Sequence, residues 1–140
     1  MGIDVGSLVM AAKLGRERRD AQVETCSVFA AALHDVLVEN GMQAKVAVAS
    51  RRGVTASATW HHSVVESGGR YFDSMGEFSP EILRKRLKIH PKVEFSIEIG
   101  PDRREGLYEE ADFEGLYEFM VEALRRAVPV PENEAPRIRG

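Results

Sequence analysis

The sequence predicts an α+β fold: N-terminal helices packed on a small antiparallel sheet, with one more helix at the C-terminal end. Three observations predict it. Apolar residues recur at helical spacing over 22–40 and again over 111–127. Between them the chain alternates apolar and hydroxyl side chains, the period of a half-buried strand. Glycine-rich breaks join the alternating runs in hairpin fashion. A length of 140 residues suits one domain, which we place over 1–127, leaving VPVPENEAPRIRG at 128–140 as a flexible proline-rich tail or a docking strand for a protein partner.

Residues 3–19 carry Ile3, Leu8, Val9, Ala12 and Leu14 at helix-compatible intervals, although Gly2, Gly6 and Gly15 oppose a long helix. From Gln22 to Asn40, Phe29, Leu33, Val36 and Leu37 define an apolar stripe supported by alanines, and Gly41 stops it. Then Ala44, Val46 and Val48 share one face of a strand, and Arg51-Arg52-Gly53 turns the chain. VTASATWHH alternates Val54, Ala56, Ala58 and Trp60 with Thr55, Ser57 and Thr59, so a second strand with one apolar face is expected. HSVVESGGRYFD reads as an antiparallel hairpin about Glu66-Ser67-Gly68-Gly69. Ser79 and Pro80 open a short helix as N-cap and first residue, KVEFSIEIG forms another strand, and GPDRREG is a polar loop. The last helix turns Phe113, Leu116, Tyr117, Met120, Val121 and Leu124 inward.

Composition narrows the function. Lysine and arginine number 19 against 22 acidic residues, for a net charge of −3, which gives no electrostatic ground for binding nucleic acid or an anionic membrane. One cysteine makes neither an internal disulfide nor a multi-cysteine zinc site, and a reducing cytoplasm is the expected compartment. No signal peptide or 18-residue apolar span is read, and no cofactor is expected.

Chemistry centres on three residues. Cys26 falls in the first turn of the 22–40 helix, where unpaired amides and the positive dipole end favour a thiolate. Alternation sends His61 and His62 to opposite faces; His62 joins Ala56, Ala58 and Trp60, and if that face packs on the cysteine helix only His62 looks toward the sulfur. A hairpin closed on Ser67-Gly68 pairs Glu66 with Gly69 and so sets Asp73 directly opposite His62, where a carboxylate would orient the imidazole. Taken singly, Cys26 also reads as a small buried hydrophobe and Asp73 as a turn residue before Ser74-Met75-Gly76. His34 reads as a helix-surface or core histidine, His90 as a loop residue, and RKRLK and YEEADFEG as solvated surfaces.

In their order, CSVFAAALHDVLVENGMQAKVAVAS followed by WHHSVVESGGRYFDSMGE resembles the core of the papain-like and transglutaminase-like cysteine enzymes over residues 22–77. That resemblance implies Cys26 as nucleophile, His62 as acid and base, Asp73 as orienter and an acyl-enzyme on the sulfur. The substrate class is then a peptide, isopeptide or other acyl compound, with peptide-bond hydrolysis foremost. Gln22 is the nearest side-chain donor for an oxyanion hole, though the family's glutamine stands farther ahead of the cysteine. Thr25 and Ser27 also replace the aromatic or glycine-rich neighbours common around such cysteines. A binding or assembly protein that keeps the scaffold without turnover, of phage or mobile-element origin, is the second expectation.

Overall fold

The computed structural model describes residues 3–22, 25–51, 60–86, 88, 97–101 and 113–129. Three helices come first: α1 (Val5–Ala11), α2 (Glu17–Asp20) and α3 (Cys26–Glu39). Asp4 starts α1 as its N-cap, accepting a hydrogen bond from the Ser7 amide at 3.1 Å. Strands β1 (Lys45–Arg51), β2 (Trp60–Ser67), β3 (Arg70–Asp73) and β4 (Gly76–Phe78) follow, then α4 (Pro80–Arg86), β5 (Ile97–Pro101) and α5 (Phe113–Ala127). The strands form an antiparallel sheet of order β4-β3-β2-β1-β5. This is the mixed, α+β architecture that the sequence predicts. Residues 54–59 of the expected VTASATWHH strand, His90, residues 92–96 of the KVEFSIEIG strand, residues 102–106 of the expected GPDRREG loop and residues 130–140 lie outside the described residues, while Gly100 and Pro101 of that loop belong to β5.

Both faces of the sheet are buried. On one, Val65 and Phe72 pack with Phe29, Leu33, Val36 and Leu37 of α3, with Val5, Leu8 and Val9 of α1, and with Met120, Val121 and Leu124 of α5. On the other, Ala47, Ala49, Val64 and Phe78 cluster with Tyr71, Ile97 and Ile99. Each fully buried large apolar side chain contributes roughly 1.5–3 kcal/mol, so the larger cluster around α3 supplies most of the fold's driving force. Ser79 caps α4 as expected, its hydroxyl accepting from the Ile82 amide at 3.1 Å. Among the described residues, no helix is long and apolar enough to cross a membrane.

The hairpin register differs from the expected one. Ser67 pairs with Arg70, Glu66 with Tyr71 and Val65 with Phe72. The two-residue turn is Gly68-Gly69, with φ of +63° and +80°, the left-handed pair that a type I′ turn requires. Extending this register sets Asp73 opposite Val64, so His62 is its diagonal neighbour. The shift is two residues, and because side chains alternate with a period of two, Asp73 and His62 still share a face.

That shared face is not the one expected. His62 pairs with Ala49 and therefore lies on the Ala47, Ala49 and Val64 side, its ring 5.4 Å from that of Phe78. The body of α3 packs on the Val65 and Phe72 side. Strand β2 is buried on both faces, with Val64 on one and Val65 on the other, which is why the sequence pattern did not reveal which side the helix covers.

Candidate active site

Cys26 is the first residue of α3, Asp73 the last of β3 and His62 the third of β2. Antiparallel pairing brings the start of β2 and the end of β3 to the same end of the hairpin, away from the Gly68-Gly69 turn. His62 Nε2 lies 3.0 Å from Asp73 Oδ2, and both side chains are 1% exposed. Cys26 lies close enough to His62 to raise the pKa of its imidazole. With Nε2 committed to Asp73, Nδ1 is the ring nitrogen left to face the sulfur. The structure thus brings Cys26, His62 and Asp73 together in a chain, although by a diagonal pairing and from the opposite sheet face to the one expected.

The environments of the three differ in a useful way. Cys26 is half-buried and outside the apolar clusters, so its sulfur is not enclosed as a packing group would be. Thr25, which precedes α3, makes no capping hydrogen bond to the first turn with its side chain. Burial pushes the His62 imidazole toward its neutral form. The hydrogen bond to Asp73, the proximity of Cys26 and the charge of Asp73 outweigh burial and raise its pKa to about 9.

Asp73 has two tasks, one for each oxygen. Burial pushes its carboxyl up, but the His62 hydrogen bond, the Arg86 charge and the Met75 amide prevail and hold it below the ordinary value. Oδ1 accepts from the Met75 amide at 2.9 Å, a local turn bond, while Oδ2 serves His62. The turn-residue reading and the imidazole-orienting reading of Asp73 therefore describe the same side chain.

A polar framework surrounds this carboxylate. Arg86 Nη1 donates to Asp73 Oδ2 at 3.2 Å and to Gln22 Oε1 at 3.4 Å, while Nη2 donates to the Glu77 carbonyl at 3.0 Å. Gln22 Nε2 donates to Ser74 Oγ at 2.8 Å, and that hydroxyl donates to the Arg18 carbonyl at 2.6 Å. The Arg18 guanidinium donates to the carbonyls of Val9, Ala12 and Ser74, tying the end of α1 to the β3–β4 turn. Gln22, expected as an oxyanion donor, has its amide engaged in this framework on the Asp73 side. The Cys26 backbone amide, in the first turn of α3, remains the donor that the helix start supplies to an oxyanion.

Arg86 and Arg18 were not legible as site residues. RKRLK reads as a solvated run, and only the short β4, also absent from the expected elements, folds α4 back so that its last residue reaches Asp73. His34 pairs with Asp35 at 2.8 Å near the surface of α3, and His61 is exposed, so neither joins the chain. Among the described residues, no three His, Cys, Asp or Glu side chains are grouped as metal ligands. No protein-family model, curated protein or solved structure matches this chain.

Proposed function

We propose that this chain is a cysteine hydrolase of papain-like or transglutaminase-like type, acting on an amide, isopeptide or thioester, with peptide or amide hydrolysis as its reaction. The observation that carries the reading is the buried 3.0 Å hydrogen bond between His62 and an ionised Asp73, with Cys26 near the same imidazole. In the resting site the thiolate faces an imidazolium whose Nε2–H is held by Asp73. The sulfur attacks the acyl carbon, a C–S bond forms and the carbonyl electron pair moves to oxygen, where first-turn amides of α3 are the donors at hand. Collapse breaks the bond to the leaving group, which departs with the proton from His62 Nδ1. His62 then takes a proton from water, whose oxygen attacks the thioester; breaking the C–S bond releases the acid and restores the ion pair. A reducing compartment such as the cytoplasm suits a lone reactive thiol.

The test is alkylation of Cys26 by iodoacetamide across pH. Wild type should react well below the ordinary thiol pKa of about 8.5, and His62→Ala should lose that low-pH reactivity by a factor on the order of 10². Turnover of amide and thioester substrates then separates an enzyme from a scaffold that only binds. A thiol that labels only near pH 8.5, or only once the chain unfolds, would sink the proposal.

A further inference from the structure

One buried charge persists through the proposed cycle. In the resting site, the thiolate and Asp73 oppose a single imidazolium. After acyl transfer Cys26 is a neutral thioester and His62 has given its proton away, so Asp73 is left as a buried anion, 1% exposed, without its imidazolium. If it picked up a proton there, its hold on the Nε2–H of His62 would weaken. Nδ1 would then be less well aimed for the proton of the attacking water. A second cation is needed at that stage.

Resting on the functional reading above, we propose that Arg86 is a positioning residue of this reaction: a fixed cation, bonded to Asp73 Oδ2, that keeps the carboxylate ionised and aimed at His62 while the imidazole is neutral. The guanidinium is oriented by three elements at once, through Asp73 of β3, the Glu77 carbonyl of β4 and Gln22 ahead of α3. Among the described residues, the groups around Asp73 are His62 from β2, Cys26 from α3 behind it, the Met75 amide, and Arg86 from α4. Glu77 turns its carboxylate to Arg70 at 3.1 Å, and Arg18 engages the Ser74 carbonyl at 2.6 Å. Arg86 is the guanidinium bonded to the carboxylate itself.

The alternative is that Arg86 merely clamps α4 to the sheet. The two roles separate when Arg86→Gln and Arg86→Lys are made in the wild-type and Asp73→Asn backgrounds, and both alkylation of Cys26 by iodoacetamide against pH and thermal unfolding are followed. Arg86→Gln should move the acid limb of alkylation up by about half to one pH unit, a fall of about 3–10-fold in rate at pH values below the limb, and lower the melting temperature. Arg86→Lys should restore most of the limb. In the Asp73→Asn background the glutamine substitution should leave the alkylation limb in place and lower the melting temperature by less than in wild type, only the bonds to the Glu77 carbonyl and Gln22 being lost. An unmoved limb, or equal losses in both backgrounds, would overturn the proposal. If Arg86→Gln fails to fold alone but folds with Asp73→Asn, charge balance is supported; failure in both overturns it. A wild-type thiol with no limb below pH 8.5 would instead remove the enzyme reading, and the paired unfolding measurements would still decide whether Arg86 serves the Asp73 charge.

Discussion

Two arginine–carboxylate pairs join different elements of this chain with the same chemistry in opposite surroundings. Arg125 of α5 meets Glu39 of α3 through two bonds of 2.8 and 2.9 Å, with side chains 52% and 39% exposed. Arg86 of α4 meets Asp73 through one bond of 3.2 Å, with the carboxylate 1% exposed. Geometry alone would rank the first pair higher. Burial reverses the ranking: water can solvate Glu39 if Arg125 leaves, whereas nothing comparable solvates Asp73, so each partner of the buried pair depends on the other. The α3–α5 contact is held by Met120, Val121 and Leu124 against α3, and its ion pair is an addition. At the candidate site, charged groups and their bonds fix the arrangement.

The largest effect should follow from breaking the buried pair. Asp73→Ala removes the acceptor of His62, Arg86 and the Met75 amide together and leaves polar donors with no partner in a closed space. A loss of about 3–5 kcal/mol in denaturant unfolding is expected. If Asp73→Ala proved no worse than Glu39→Ala, the contrast between the two pairs would be false.

Next comes the pH dependence of stability. The folded His62 pKa is raised to about 9 from an ordinary 6.5. Below pH 6.5 the imidazole is protonated in both folded and unfolded chains, so its pairing with Asp73 and Cys26 contributes in full. Between 6.5 and about 9 only the folded protein keeps the proton, and stability falls as pH rises. The change is on the order of 3 kcal/mol by linkage from that shift. Asp73 acts in the opposite sense: its folded pKa is lowered, so its contribution is present above about 4 and is lost as pH falls through the folded value. Unfolding free energy should therefore peak between about pH 4 and 6.5, and His62→Gln should flatten the alkaline side.

The hairpin turn tests what the sequence could reveal. Helical spacing located α3 and α5, and alternation put His62 and Asp73 on one face, because both patterns are local and survive a register shift of two. Which pair of residues closed the turn was not legible: Ser67-Gly68 and Gly68-Gly69 are both acceptable turn dipeptides, and only the backbone angles decide. The covering of each sheet face and the approach of Arg86 depend on tertiary packing and left no periodic trace. With both turn glycines at positive φ and open space around each, Gly69→Ala should lose about 1–2 kcal/mol through backbone strain alone. Gly68→Asn should be nearly neutral, since an Asn-Gly dipeptide favours the same turn. A full loss from Gly68→Asn would argue for a different turn and a different register at Asp73.

The smallest effect should come from the exposed pair. Glu39→Gln keeps the length of the side chain and removes the charge that holds Arg125, yet both groups remain solvated and α5 keeps its apolar seat on α3. Nearby, Tyr117 donates to Asp35, a second polar link between the same helices that the substitution leaves in place. Unfolding of Glu39→Gln should differ from wild type only at low ionic strength, and the difference should vanish in high salt. The same salt series applied to Arg86→Gln should leave its loss largely intact, because a carboxylate enclosed by protein is screened far less than one facing solvent. Equal salt sensitivity of the two variants would mean that Asp73 is reached by water and ions, and the stabilisation assigned to Arg86 would then have to come from packing.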